Sequence, residues 1–334
     1  MKKIVWMLST TILVLAALFL YAVYSLNRYA STPADMDADS RIFVVSTGQG
    51  VSEIAGRLAS EGLIVHPHGF RLFARINGLD KKIKTGEYSL SAAMSPSEIL
   101  DKLISGKVLL YRLTIPEGYT MSQIADLVGS SGIAERDDFI RALSDRRLLE
   151  EQKIEADSFE GYLFPDTYFF PKNTPAEKII DVLVTRFRAV FTPERLKRAV
   201  ELGLTVHEVV TLASIIEKET GVPQERPIIA SVFHNRLKRG MRLESDPTVI
   251  YGIKDFDGNI TRKDLATPTA YNTYRIKGLP PGPIANPGEK AIEAALYPAD
   301  TAYIYFVARR DGTHHFSTNI RDHNRAVAKY QLRR

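Results

Sequence analysis

The sequence predicts an α+β protein carried on an N-terminal transmembrane helix, and three observations predict it. The first is an uncharged run of 23 residues, Ile4 to Leu26, which is long enough to cross a bilayer as a helix. The second is a strand, glycine turn and helix pattern that occurs twice, 70 residues apart. The third is a C-terminal half whose helical periodicities are interrupted by a long stretch, Gly240 to Gly288, rich in Gly, Pro, Thr, Asn and Tyr. At 334 residues, 45% apolar and 25% charged, the chain suits two or three folded modules. Its net charge of +5 is spread out. That gives no footprint for nucleic acid but suits an anionic polymer or a membrane surface. The absence of cysteine excludes disulfides, thiol catalysis and Cys-based zinc sites.

The apolar run is read as an uncleaved anchor. Trp6 lies near one end and Tyr21 and Tyr24 near the other, where amphipathic rings favour the two interfaces. Lys2 and Lys3 precede the run while Asp35, Asp37 and Asp39 follow it, so the positive-inside bias puts the N-terminus in the cytoplasm and the body outside. A signal peptide would have a shorter apolar region and a small-x-small cleavage site. The predicted organisation therefore starts with a cytoplasmic tip and anchor over residues 1–28. A small, polar, acidic juxtamembrane linker follows over 29–40.

The repeated pattern comes next. Its copies are "VVSTGQGVSEIAGRLASEGLIVHPHGFRLFARING" and "RLTIPEGYTMSQIADLVGSSGIAERDDFIRALSD". In register they pair Gly48 with Gly118, Ser52 with Ser122, Ile54-Ala55 with Ile124-Ala125, and Gly62 with Gly132. Each reads as a strand, a glycine turn, an amphipathic helix ended by glycine, and a second helix. The first, with its returning strand "KTGEYSL", resembles a LysM module, a βααβ unit that binds N-acetylglucosamine-containing glycans. A purely structural βααβ spacer is the competing reading. These copies bound a LysM-like module over 41–110 and a second related α/β unit over 111–156. Between them "SPSEILDKLISGK" predicts a short helix with Ser95 as N-cap and Gly106 as stop.

From residue 157 to 334 the texture is that of another domain. "SFEGYLFPDTYFFP" is aromatic and broken by proline. Helices are expected at about Pro175 to Phe191, Pro193 to Leu202, Val206 to Thr220 and Pro227 to Lys238. After the irregular stretch come a helix from Glu289 to Leu296, a hairpin turning at Asp311-Gly312, and a basic C-terminal helix. Nearly fifty irregular residues inside a compact domain point to a binding site.

The helix "TVHEVVTLASIIEKETG" carries the sharpest question. Thr205 and Glu208 form a capping box, and Gly221 with Pro223 beyond it marks the stop. Val209, Leu212, Ala213 and Ile216 make an apolar stripe, so the helix reads as half-buried with Lys218 outward. Glu217 and Glu219 fall on opposite borders of that stripe, roughly 160° apart around the axis. Both lie in the last turn, where burial and the negative end of the dipole raise a carboxyl pKa. Either is a border residue pairing with Lys218, Arg226 or Arg236, or a general acid for glycosidic cleavage. Spacing leaves both open.

Five ordered stretches resemble the endolytic murein (lytic) transglycosylases of the YceG-like (MltG) family. They are "EGYLFPDTY", "LASIIEKET", "SVFHNRLKRGMRLESDPTVIYG", "TPTAYNTYRIKGLPPGPIANPG" and "YIYFVA". The resemblance implies a lyase that cuts nascent peptidoglycan strands between N-acetylmuramic acid and N-acetylglucosamine and leaves a 1,6-anhydromuramic end. It also implies that the second glutamate of "EKET", Glu219, is catalytic and that wall synthases are partners. A muramic C6 hydroxyl already held close supplies the nucleophile, so one enzyme carboxyl suffices where a water-using glycosidase wants two.

Other candidates carry competing structural roles. Asp246 in "SDPT" is a candidate to orient the sugar or polarise Glu219, and equally a turn initiator. Asn235 and Asn272 are candidates to bind N-acetyl groups, against capping or loop bracing. Tyr251, Tyr271 and Tyr274 are candidates to stack on sugar, against a place in the core. Asp166 and Glu160 are weaker candidates in the aromatic loop, and "GLPPGPIANPG" is expected to wall the cleft. His314, His315 and His323 lack ligand spacing, so neither a metal nor another cofactor is predicted. The resulting expectation is a single-pass inner-membrane enzyme with its catalytic domain in the periplasm. A water-using muramidase and a non-catalytic glycan-binding scaffold stand as alternatives.

Overall fold

The computed structural model describes residues 2–332 apart from Asp255. Met1, in the expected cytoplasmic tip, and Arg333 and Arg334, at the expected C-terminal end, lie outside the described residues. The fold is mixed α+β, and the chain divides into two compact units, Met1–Tyr111 and Arg112–Arg334.

The first unit opens with α1 (Lys2–Ala30), apolar and long enough to cross a membrane over Trp6–Ala30. Strand β1 (Ser40–Val45) leads to α2 (Val51–Ser60) and α3 (Pro67–Ile76). Strand β2 (Gly86–Ser91) then returns antiparallel to β1, with Phe43 opposite Tyr88, and α4 (Pro96–Ser105) follows. Phe43, Ile54, Leu58, Phe70, Tyr88 and Leu100 fill the core. Alternation along β1 and the 3.6-residue stripe of α2 put these side chains on one side. Ser95 caps α4 reciprocally with Glu98, and Gly106 ends it in the left-handed conformation, as the local residues dictate. The stretch that follows α1 is not free chain. The Tyr29 hydroxyl donates to the His66 carbonyl at 2.7 Å, and the Ala34 and Asp35 amides both donate to the Ala92 carbonyl at 3.0 Å.

The second unit begins with the same pattern in its expected register. Strand β3 (Tyr111–Thr114), α5 (Met121–Ser131) and α6 (Arg136–Leu143) fall 70 residues after β1, α2 and α3, to within a few residues at each end. The partner of β3 is β4 (Thr167–Phe170), which arrives after α7 (Arg146–Glu151) and the aromatic loop. Helices α8 (Ala176–Val190), α9 (Pro193–Leu202), α10 (Val206–Glu219) and α11 (Arg226–Lys238) follow. Two short helices, α12 (Asp246–Tyr251) and α13 (Arg262–Ala266), break the stretch expected to be irregular. Thr261 caps the second of them in a capping box with Asp264. Then come α14 (Glu289–Leu296), the hairpin β5 (Tyr305–Ala308) and β6 (His314–Ser317), and α15 (Ile320–Val327).

Helix α10 is wholly rather than half-buried from Val209 to Ile216. Its two polar residues there are satisfied internally. Thr211 donates to the His207 carbonyl, while Ser214 donates to the Thr211 carbonyl and accepts the Ile284 amide. A hydroxyl that bonds its own helix can face a neighbouring segment without an unpaired polar atom. The expected amphipathic helix is thereby the central one of its domain.

Candidate functional site

The capping box at Thr205 starts α10, with the Glu208 amide donating to Thr205 Oγ1 at 3.1 Å. The helix stops at Glu219, one residue earlier than expected, because Thr220 is extended and its hydroxyl accepts the Val222 amide at 2.9 Å. The last turn therefore carries both glutamates, and their neighbours differ. Glu217 accepts from Arg226 at 2.8 Å and from the Gly288 amide at 3.0 Å. Burial raises its pKa, against the opposing pull of the Gly288 amide and the Arg226 cation. Among the described residues no cation is bonded to Glu219. Its carboxyl accepts the Ser245 hydroxyl and lines a cleft of about 380 Å³.

Burial dominates the acidity of Glu219 and pushes its pKa up to about 7. The Ser245 hydrogen bond lowers it, the Asp246 carboxylate raises it, and the Arg236 charge lowers it. Ser245 occupies the N-cap position of α12, yet its side chain does not cap that helix. The segment is held instead by main-chain bonds, the Ser245 amide to Thr273 Oγ1 at 3.0 Å and Thr248 Oγ1 to the Ser245 carbonyl at 2.6 Å. These leave the Ser245 hydroxyl free to reach Glu219. Just before it, Glu244 has φ 51°, unusual for a residue with a side chain. Its strain is offset by an ion pair with Arg236 at 3.0 Å.

Of the catalytic and sugar-binding candidates from the sequence, Glu219, Asp246 and Tyr274 come together along this cleft, which Arg236, His314 and His323 also line. The Tyr274 hydroxyl donates to Asp246 at 2.6 Å, and burial next to that carboxylate raises the phenol pKa. The others lie elsewhere. Asn235 donates to the carbonyls of Thr301 and Tyr303 at 2.8 and 2.9 Å. Asn272 is fully buried and donates to the carbonyls of Asp264, Leu265 and Thr267. Both amides brace loops. Asp166 sits in a surface ion pair with Arg186 at 2.8 Å.

Glu160, Tyr251 and Tyr271 form a separate cluster. Glu160 is buried and accepts from the Met121 amide at 3.1 Å, Asn286 at 3.0 Å and the Tyr251 hydroxyl at 3.2 Å. Burial carries its pKa to about 7 against those bonds. The Tyr251 and Tyr271 rings pack 4.8 Å apart. Gly161 beside it has φ 87°, and a Cβ there would lie 2.5 Å from Pro283 Cγ, so only glycine fits. The "GLPPGPIANPG" loop thus packs on the core, and none of its residues lines the cleft.

The sequence reading gave no site role to Ser245, Glu244 or the far wall, although the quoted stretches contain Glu244, Ser245, Phe306 and Val307. That wall comes from β5 and the C-terminal segment, through Phe306, Val307, His323 and Val327. Only Ser245 carried a local signal, a hydroxyl before Asp-Pro, and that signal reads as an ordinary cap. His314 pairs with Glu225 at 2.7 Å.

The arrangement offers one carboxyl of near-neutral pKa, one hydroxyl donor to it, and a second carboxylate alongside. Comparisons with known proteins bear on what that chemistry serves. The model of the YceG-like family matches residues 43–329. The endolytic murein transglycosylase of Bacillus subtilis (strain 168) is 33% identical, with 95% of this chain and 91% of that protein covered. The endolytic murein transglycosylase of Streptococcus pneumoniae serotype 2 is 32% identical over 88% of this chain, which spans 60% of that longer protein. A crystal structure of a yceG-like protein from Listeria monocytogenes superposes with a TM-score of 0.60 at 33% identity. It covers 87% of this chain and all of its own.

Proposed function

The chain belongs to the YceG-like family, and from that premise we propose that it is a membrane-anchored endolytic murein transglycosylase, a lyase of peptidoglycan strands, with Glu219 as its acid and base. The names of its relatives support the reaction class. One observation carries the assignment of the residue: the Glu219 carboxyl lines the cleft with a pKa of about 7 and, among the described residues, no cation bonded to it. A group poised there exists in both protonation states at neutral pH, as a residue that first gives and then takes a proton requires.

The reaction begins with protonated Glu219 giving its proton to the oxygen between N-acetylmuramic acid and N-acetylglucosamine. The C1–O bond breaks and positive charge develops at C1. The Glu219 carboxylate, stabilised by the Ser245 hydroxyl, then takes the proton of the muramic C6 hydroxyl as that oxygen bonds to C1. The 1,6-anhydro ring closes, no water is consumed, and Glu219 ends as it began. Asp246, anchored by Tyr274, keeps the carboxyl of Glu219 weakly acidic and adds negative potential beside the developing cation. The βααβ unit between β1 and β2 is a LysM-like glycan-binding module in this reading. The lysines at the start of α1, ahead of its apolar run, and the aspartates after it support a cytoplasmic N-terminus and an extracytoplasmic body.

Mass spectrometry of purified glycan digested by wild type and Glu219→Gln tests the proposal. Anhydro ends from wild type and none from the variant are expected. Reducing ends would instead support a muramidase in which Asp246 activates water. Equal cleavage by the variant would refute Glu219, and no cleavage by wild type would leave a glycan-binding scaffold.

A further inference from the structure

The first unit carries apolar side chains that its own core does not use. Val65, Leu72 and Ile76 are 60, 51 and 66% exposed, although Phe70 and Ala74 of the same helix α3 are fully buried. Two observations place this surface. Gly69 faces α1 so closely that a Cβ there would fall 2.8 Å from the Tyr29 ring. Gly69, Leu72 and Ile76 stand at i, i+3 and i+7, one stripe of the helix. The face that touches α1 therefore continues outward as exposed Leu72 and Ile76. The second observation is a groove of about 380 Å³ lined jointly by Tyr21, Tyr24 and Arg28 of α1 and by Ile64, Val65 and Pro96. Tyr21 and Tyr24 close the apolar segment of α1, where interfacial rings sit. Tyr29 lies only about 8 Å further along the axis.

We propose that the α3 stripe and the Val65 corner rest in the interfacial layer of the bilayer that α1 spans, with Arg71 and Arg75 against anionic lipid headgroups. The inference rests on α1 being a membrane anchor. Apolar residues at the acyl boundary flanked by arginines are the pattern of a helix lying in a membrane surface. The strapped juxtamembrane stretch leaves no slack for the module to lift away. Seated so, the first unit meets glycan only close to the membrane.

The chain has no cysteine, so single cysteines at Leu72, Ile76, Ser52 and Leu15 take an environment-sensitive fluorophore cleanly. The full-length protein is reconstituted in phosphatidylglycerol–phosphatidylethanolamine vesicles carrying shallow or deep nitroxide lipids. Labels at Leu72→Cys and Ile76→Cys should be blue-shifted and quenched by shallow nitroxides, and the exposed Ser52→Cys label should not. Replacing Arg71 and Arg75 by Gln should cut the quenched population about fivefold per arginine, the equivalent of roughly 1 kcal/mol for each basic residue at an anionic surface. Labels at 72 and 76 that match the one at 52, while Leu15→Cys is quenched by deep nitroxides, overturn the inference and leave the anchor intact. A blue shift without lipid quenching means protein covers the face, and also overturns it. An unquenched label at Leu15 refutes the anchor itself and the inference with it.

Discussion

Replacing Ser245 by Ala isolates one force on the proposed acid. The Ser245 hydroxyl donates to the Glu219 carboxyl and favours its charged form. A hydrogen bond to a charged group contributes roughly 1.5–3 kcal/mol, and 1.36 kcal/mol corresponds to one pH unit. In the proposed reaction Glu219 starts protonated, so kcat/KM of wild type should decline as pH rises through about 7. Without the Ser245 hydroxyl, that decline should move up by about one to two pH units. The surrounding loop should survive, because its bonds to Thr273 and Thr248 use the Ser245 main chain. Asp246→Asn makes the opposite change: it removes a like charge, and the decline should move down. The assay is initial cleavage rate of a defined-length, end-labelled glycan from pH 5.5 to 9.5, with far-ultraviolet dichroism as a folding control. A Ser245→Ala profile that stays in place or moves down would refute the electrostatic account of the site.

Three further variants separate chemistry from structure. Glu217→Gln should lose roughly 3 kcal/mol in urea unfolding, because it leaves Arg226 buried with only the looser Glu117 contact at 3.6 Å. The product it makes should still be anhydro-ended, whereas Glu219→Gln should abolish the product without a comparable loss of stability. Glu160 is predicted to make stability depend on pH. Its folded pKa of about 7 exceeds its ordinary 4.5, so the native state holds more protons across that window and stability falls as pH rises through it. The loss is on the order of 3 kcal/mol. Glu219 contributes the same sign, so the test is whether Glu160→Gln flattens the pH dependence of chemical denaturation relative to wild type. Asp166→Asn should leave the cleavage rate within about twofold and stability within about 1 kcal/mol, since its ion pair with Arg186 is exposed. A tenfold loss of rate would place Asp166 in the substrate path.

The fold was legible where its causes are local. Ser95 with Glu98 and Thr205 with Glu208 start helices through hydroxyls and carboxylates three residues apart, and Gly106 ends one through its positive φ. Asp311-Gly312 turns a hairpin that pairs Tyr305 with Ser317. The repeat was legible for the same reason, since Gly48 and Gly118 both adopt left-handed turns ahead of matching helices. Partners far apart in sequence were not legible. Nothing around Asn235 indicates that its amide meets the Thr301 and Tyr303 carbonyls, or around Asn286 that it joins Glu160 to Tyr119. Asn and Tyr in a loop rich in both read equally as sugar contacts or braces until the carbonyls they meet are known. The far wall of the cleft arises from β5 and α15 for a related reason. Each is an ordinary element locally, and only tertiary packing turns it toward Glu219.

The two glutamates at the end of α10 show where that boundary lies. Periodicity placed them on opposite borders of one stripe, and burial raises both pKa values. Acidity alone therefore does not choose between them. The choice lies in what each side chain meets from other segments. Glu217 meets a cation and a main-chain amide, so its charge is compensated in place and its removal would leave Arg226 with only the looser Glu117 contact. Glu219 meets a hydroxyl and a carboxylate beside an open cleft. A hydroxyl stabilises the charged form without locking it, and the carboxylate works against it. A compensated carboxylate holds a fold together, whereas one balanced between burial and a single hydroxyl can change protonation state at little cost. That balance, rather than position on the helix, is the physical ground for proposing Glu219 as the acid and base.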